Sequence, residues 1–241
     1  MKIAICFYGL LYGGFTNHEP MVKNKDFRHC WPNIKKYVVD PFIAGGHEVD
    51  ILVSSYKIND EDVEKQFFDM VKPAKIVYSD FNNSNTFTSK YASFENLKEP
   101  YEHDFVILTR FDLHWNKVLF NENIDYTKFN YLFPENDSFI QNEYKQFGFT
   151  CDNVYMWPID MTPTVSKAMM ETYRFPRSFS PDTHALKFKM IQHIGEQQTH
   201  AISNSPDFSH LNEFYTICKE NLHIHDHNLV HPEVKERFNY V

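Results

Sequence analysis

Apolar positions along the chain follow two alternating rhythms. Residues 3–8 form a short apolar run closed by Gly9, with a glycine pair at Gly13-Gly14 just beyond. A run of that length bounded by glycine predicts a buried strand. Over residues 27–43 the spacing changes: Cys30, Trp31, Ile34, Val38 and Phe42 recur mostly every three or four positions, which predicts one helix with an apolar stripe. Gly45-Gly46 stops it, and residues 47–53 read as a second buried strand. Strand, helix and strand make a βαβ unit, whose crossover is nearly always right-handed. The alternation continues with a helix over 60–71 capped by Asp60, a strand over 74–78, a polar segment over 80–90, a short helix over 91–97 and a strongly apolar strand over 104–109. That strand runs into Arg110-Phe-Asp-Leu-His114.

Beyond residue 115 the pattern predicts strands over 131–133 and 153–157 and helices over 162–173, 181–195 and 208–221. Strands alternating with helices, then a mixed second half, imply an α/β fold: an open sheet flanked by helices, with an antiparallel element added late. The 241 residues hold 42% hydrophobic and 17% aromatic positions and no low-complexity linker. That is enough apolar surface to offset the entropy of folding one domain.

Charge narrows the partners. A formal net charge of −8 disfavours a nucleic-acid backbone, which draws its binding from clustered Lys and Arg, and disfavours an anionic membrane surface likewise. An anionic small ligand would need a local attractor, such as a helix N-terminus, a single Arg or a divalent cation. Cys6, Cys30, Cys151 and Cys218 form no CxxC pair, so neither a zinc ribbon nor a disulfide scaffold is indicated, and the thiols are expected to be free. With no signal-peptide pattern and no apolar run long enough to span a bilayer, the expected location is the cytoplasm.

In open α/β sheets ligands bind outside the carboxyl ends of the strands. Three such ends stand out: Phe7-Tyr8-Gly9, Ser54-Ser55-Tyr56 and Arg110-Phe-Asp112. Period-two geometry sets Arg110 and Asp112 to one side. The Asp could hold a hard divalent cation and the Arg a phosphate, or the two could form a structural ion pair. Late in the chain, His223-Ile-His-Asp-His227 would line three imidazoles along one face of an extended segment, where two could bind a metal; a solvated loop is the alternative. Ser180-Pro-Asp182 has the form of a helix start, with Ser180 as cap, Pro181 at the first position and Asp182 in the first turn. Gly13-Gly14 is not followed by the Gly-Lys-Ser/Thr of a phosphate-cradling loop, which argues against a P-loop kinase or sulfotransferase.

Four of these stretches, residues 2–9, the helix with Asn33-Ile34 and Pro41-Phe42, the strand over 47–53 and above all residues 104–113, resemble small bacterial and viral GT-A-like glycosyltransferases. The likeness covers roughly the first half of the chain. It implies a GT-A-like, Rossmann-type open mixed sheet in a single domain, with a nucleotide-binding half over 1–115 and an acceptor half over 116–241. In that family a strand-end DxD motif binds Mn²⁺ or Mg²⁺ bridging the diphosphate of the donor; here Arg110-Phe-Asp112 keeps only the second Asp. The resemblance implies that Phe7, Tyr8 and Gly9 line the nucleotide pocket with Ser54, that Arg110 meets phosphate, and that Asp112 with His225 or His227 holds the metal. It makes Asp182 the first and Asp152 the second choice of catalytic base. The implied reaction moves a sugar from a UDP- or GDP-sugar to a glycan or other hydroxyl acceptor. A metal-dependent sugar-nucleotide hydrolase or phosphoesterase, and a non-catalytic nucleotide- or carbohydrate-binding module, are the alternatives.

Overall fold

From Ile3 to Tyr8 the first strand is apolar because both of its faces are covered. In the computed structural model, which describes residues 1–13, 25–79, 86–98, 100–132, 153–173, 186–203 and 214–217, Ile3, Ile5 and Phe7 of this strand enter one apolar core and Ala4, Cys6 and Tyr8 the other. A strand buried on two sides reads as a continuous apolar run. The described strands are, in chain order, β1 (Lys2–Tyr8), β2 (Tyr12–Gly13), β3 (Lys25–Asp26), β4 (Glu48–Tyr56), β5 (Lys75–Ser79) and β6 (Phe105–Arg110). They continue with β7 (Leu113–Trp115), β8 (Phe129–Tyr131), β9 (Val154–Pro158), β10 (Thr199–Ala201) and β11 (Tyr215–Ile217). Seven of them form one sheet in the order β10-β8-β9-β6-β1-β4-β5. Pairing is parallel across β6-β1-β4-β5 and between β10 and β8, and antiparallel on both sides of β9. The antiparallel element expected in the second half is therefore β9.

Helices cover both faces. On one lie α1 (Phe27–Ile34), α2 (Asp40–Ala44) and α3 (Glu61–Val71), which contribute Trp31, Ile34, Phe42, Phe67 and Val71 to the first core. On the other lie α4 (Thr86–Asn96), α5 (Thr162–Tyr173) and α6 (Leu186–Ile194), with Phe94, Val165, Met169 and Met190 in the second core. Between α1 and α2 the chain stays helical through a π turn, Lys35–Val39, in which the Asp40 N–H reaches back to Lys35 O. Pro41 follows at once. Having no N–H, it lets the register pass from π back to α without stranding a donor. Asp60 caps α3 as expected, its carboxylate accepting from the N–H groups of Asp62 and Val63, both at 3.1 Å.

Three sequence-based boundaries are corrected. The helix expected over 91–97 starts at Thr86, because its inward side carries the buried polar residues Ser89, Lys90 and Ser93, which an apolar-spacing rule passes over. β4 runs on to Tyr56 through Ser54 and Ser55, both fully buried. Within the helix expected over 208–221, the described residues Tyr215–Ile217 form a strand instead, paired antiparallel with β7. An aromatic and two β-branched residues in a row favour an extended partner. The predicted helix start at Ser180 lies outside the described residues.

Candidate functional site

From β1 the chain passes to β4 and β5 on one side, then crosses back to β6 on the other. The carboxyl ends of β1 and β6 flank that reversal, where an open α/β sheet opens its ligand crevice. The residues standing there are Tyr8-Gly9 and Arg110-Phe111-Asp112.

Register sets a polar row across this edge. Tyr8 is paired with Ser54 on one side and Arg110 on the other, and paired positions share a sheet face. Arg110 donates from Nε to Asp112 Oδ1 at 2.8 Å and from Nη2 to Oδ2 at 2.7 Å, a fork-to-fork ion pair, and from Nη1 to Asn153 Oδ1 at 3.2 Å. Its side chain keeps 25% exposure and that of Asp112 11%. Between them Phe111 turns the opposite way, stacked on Trp31 at 5.8 Å and edge-on to Phe7 at 5.2 Å. This aromatic anchor fixes the turn that carries Asp112. Just beyond, Asn33 of α1 clasps β7 by accepting from Trp115 N–H at 2.6 Å and donating to Trp115 O at 3.0 Å. The guanidinium is thus held in place before any ligand arrives, which is the condition for a preorganised anion contact.

Gly9 closes β1 with φ +110°, a conformation that L side chains rarely adopt, and donates its N–H to Ser54 O at 3.2 Å. A Cβ placed there would meet no atom of the described residues within 4 Å. Among the described residues the backbone at the switch point therefore borders open space, as close approach of a ligand requires.

α4 lays its polar side over the same row. Asn96 donates from Nδ2 to Val53 O at 3.0 Å and to Ser54 Oγ at 3.1 Å. Ser89 is hydrogen-bonded to the Tyr56 phenol, whose proton affinity burial raises against the opposing pull of that bond. Lys90, fully buried, holds its ammonium 5.0 Å from the centroid of the Tyr8 ring and 5.7 Å from that of Tyr155.

No family model matches the chain, and no curated protein matches it. Among solved structures it is similar to CTP:phosphocholine cytidylyltransferase from Streptococcus pneumoniae, at 13% identity and a TM-score of 0.50, covering 98% of this chain and 99% of that one. It is also similar to a protein described as a nucleotide-diphospho-sugar transferase from Desulfovibrio desulfuricans G20, at 10% identity and a TM-score of 0.45, covering 86% of this chain and 80% of that one. The full-length likeness to the first is one of fold. The chain is a single mixed α/β domain with a Rossmann-type open sheet flanked by helices.

Of the residues singled out from sequence, the structure brings Tyr8, Gly9, Ser54, Arg110 and Asp112 to one edge. Phe7 stands apart from them. Its ring is fully buried on the opposite face, edge-on to Trp31 at 6.1 Å, so it builds the core. Tyr8 is also buried, its ring presented to Lys90, and Ser54 is covered by Asn96. Asp152, Asp182, His225 and His227 lie outside the described residues. Lys90, Asn96 and Asn153 were missed by the sequence reading. For Lys90 a signal existed: with Phe94 and Leu97 it falls at four- and seven-residue spacing, the inward stripe of a helix.

The described donors do not by themselves make a divalent-cation site. Both oxygens of Asp112 accept from the Arg110 fork, and no three His, Cys, Asp or Glu side chains converge among the described residues. Cys6 and Cys30 are both buried, and burial pushes the Cys6 thiol well above its ordinary value. No described helix is long and apolar enough to cross a membrane.

Proposed function

We propose that this protein is a glycosyltransferase that moves a sugar from a UDP- or GDP-sugar to a hydroxyl acceptor, with the nucleotide held by residues 1–115 and the acceptor by 116–241. The observation that carries this reading is the Arg110 fork, fixed by Asp112 and Asn153 and partly exposed at the carboxyl end of the switch-point strand. Glycosyl transfer from such a donor turns on stabilising the departing diphosphate, and a preoriented guanidinium meets that charge without reorganising. Gly9 gives the phosphates close access to the backbone. Asp182, or Asp152 in its place, is assigned the acceptor proton as general base. Mn²⁺ or Mg²⁺ held by Asp112 with His225 or His227 is the competing source of positive charge. In that case Asp112 must exchange its Arg110 partner for the ion.

A second reading comes from the full-length fold likeness to a cytidylyltransferase: nucleotidyl transfer, in which the protein takes a nucleoside triphosphate and releases pyrophosphate. One set of measurements separates the readings. Thermal stabilisation is followed with UDP, GDP, their sugar conjugates, CTP and UTP, each with and without Mn²⁺, because a ligand that binds only the folded state raises its apparent stability. Stabilisation by one nucleoside diphosphate and its sugar conjugate, with sugar transfer to a hydroxyl acceptor, is expected. Arg110→Lys, which keeps the charge and loses the planar fork, should lower turnover by about a hundredfold. Pyrophosphate release from CTP or UTP would replace glycosyl transfer with nucleotidyl transfer, and free sugar released without an acceptor would replace it with hydrolysis. Dependence on Mn²⁺ would move the diphosphate charge from Arg110 to the metal.

A further inference from the structure

We propose that Asn33 is a positioning residue of the same edge: by pinning β7 to α1 it sets where Asp112 stands, and so the direction in which the Arg110 fork meets a diphosphate. This rests on the nucleotide-binding reading above. Asp112 lies in a joint between two sheets. β6 ends at Arg110, and the Phe111 N–H still donates to Tyr8 O at 3.1 Å. β7 begins only at Leu113 and pairs with β11 in a separate two-stranded sheet. The position of Asp112 therefore depends on where that small sheet sits. α1 grips both sides of the joint. Before it, Trp31 stacks on Phe111 with the ring planes 16° apart, and its indole N–H is tied to Met70 O of α3 at 3.0 Å. Beyond it, Asn33 accepts from Trp115 N–H at 2.6 Å and donates to Trp115 O at 3.0 Å.

A carboxamide suits this duty because its oxygen accepts and its nitrogen donates, matching the N–H and C=O of one extended residue. Neighbouring residues of a strand turn those groups to opposite edges. Asn116 N–H reaches Phe214 O at 2.7 Å on the β11 side, so Trp115 turns its own toward α1. Asn33 thus stands in for a partner strand one residue long. Leu favours a helix more than Asn does, yet it would offer neither group, and Asp would offer no donor. Trp115 is fully buried, where an unmade backbone hydrogen bond is expensive. The same amide nitrogen lies 3.5 Å from His114 Nδ1. Satisfying two buried backbone groups is a structural duty and by itself would leave the fork alone. The tie to the site is Asp112, just upstream of the clasp, both of whose oxygens receive the Arg110 fork. A contact group keeps its aim only when the residues that support it are themselves locked.

The test is whether Asn33 acts through Arg110. Affinities for UDP and GDP, and for uridine and guanosine, are measured by calorimetry on the full chain with wild-type protein, Asn33→Ala, Arg110→Lys and the double variant. Asn33→Ala should lower the diphosphate affinity about tenfold, within the range for coupled neighbours, and leave the nucleoside affinity unchanged. In the Arg110→Lys background, where the planar fork is already lost, it should cost nothing further. Additive losses in the double variant would mean that Asn33 supports the fold at large and would overturn the proposal. An equal loss for nucleotide and nucleoside, or no loss, would overturn it too. A wild-type protein that binds no nucleotide would remove the nucleotide reading and this proposal with it, a failure seen before any substitution is made. Should Asn33→Ala not fold, the wild-type protein decides by NMR of the Asn33 side-chain amide and the Trp115 backbone amide. Their signals should shift on adding UDP or GDP and stay in place on adding the nucleoside, and signals indifferent to the phosphates would overturn the proposal.

Discussion

Arg110, Asp112 and Gly9 form a small unit in which each residue depends on backbone geometry set by another. Arg110 and Asp112 meet because Phe111, between them, is pinned to Trp31 and Phe7 on the far side. Gly9 reaches Ser54 O only by holding φ at +110°. The effect of Gly9→Ala can be stated closely, since the added methyl would meet no atom of the described residues within 4 Å. The cost is then backbone strain alone, about 1–3 kcal/mol, read as a lowered midpoint in urea denaturation. A neutral result would mean that φ at Gly9 relaxes freely and that the turn is not built around glycine. At this scale the sequence was legible in outcome: Arg110 and Asp112 meet on one side, though through the turn at Phe111-Asp112 and not through a continued strand. It was not legible for the pair Phe7 and Tyr8. Adjacent residues of a strand face opposite ways, so only one could reach the site's face. Deciding which needed the register of β1 against β6.

At the scale of elements, α4 matters most to the site and was the least visible helix. Its inward residues Ser89, Lys90, Ser93 and Asn96 are polar and buried, so apolar periodicity reports only its last turns. The hydrophobic helices and the parallel strands β1, β4, β5 and β6 were legible for the converse reason: they carry runs or stripes of apolar residues, and glycine or Asp60 marks several of their ends. The stretch over 208–221 failed because a three-residue strand is too short to show a period, and its pairing with β7 is a long-range contact. The polar side of α4 implies a specific dependence. Asn96 ties the end of the helix to the end of β4 through Val53 O and Ser54 Oγ. Asn96→Ala leaves Ser54 Oγ buried without that donor and should cost about 1–3 kcal/mol. Thermal unfolding would register the loss, and nucleotide-induced stabilisation should weaken in parallel because Ser54 lies in the row with Tyr8 and Arg110. A variant as stable as wild type would show that α4 is held by its apolar contacts alone.

Across the whole molecule the two edges of the sheet are built differently. The carboxyl edge keeps a partly exposed cation and an open turn, whereas the amino edge is tied shut by charges. There Lys2 Nζ lies 3.1 Å from Asp50 and 3.5 Å from Glu48, His103 Nε2 lies 3.0 Å from Asp50, and Lys2 N–H donates to Asp104 at 2.7 Å. Burial raises the Asp50 carboxyl, but the hydrogen bonds and charges of Lys2 and His103 outweigh it and hold the group below its ordinary 3.8. Asp26, Asp125 and Glu171 are shifted the same way by their own donors. A carboxylate with a folded pKa below its unfolded one adds stability that is complete above the unfolded value and is lost as pH falls through the folded one. For these four groups that window opens at the ordinary values of 3.8 and 4.5 and extends downward. The midpoint of thermal unfolding should therefore fall steadily as pH is lowered through this range. Asp50→Asn should remove part of that acid limb. Because Asp50 sits at the edge opposite Arg110 and Gly9, the variant should leave nucleotide stabilisation unchanged at neutral pH. An acid limb identical in the variant and wild type would mean that the Lys2 and His103 ties contribute nothing. A loss of nucleotide stabilisation would mean that the two edges are coupled through β1 and β4.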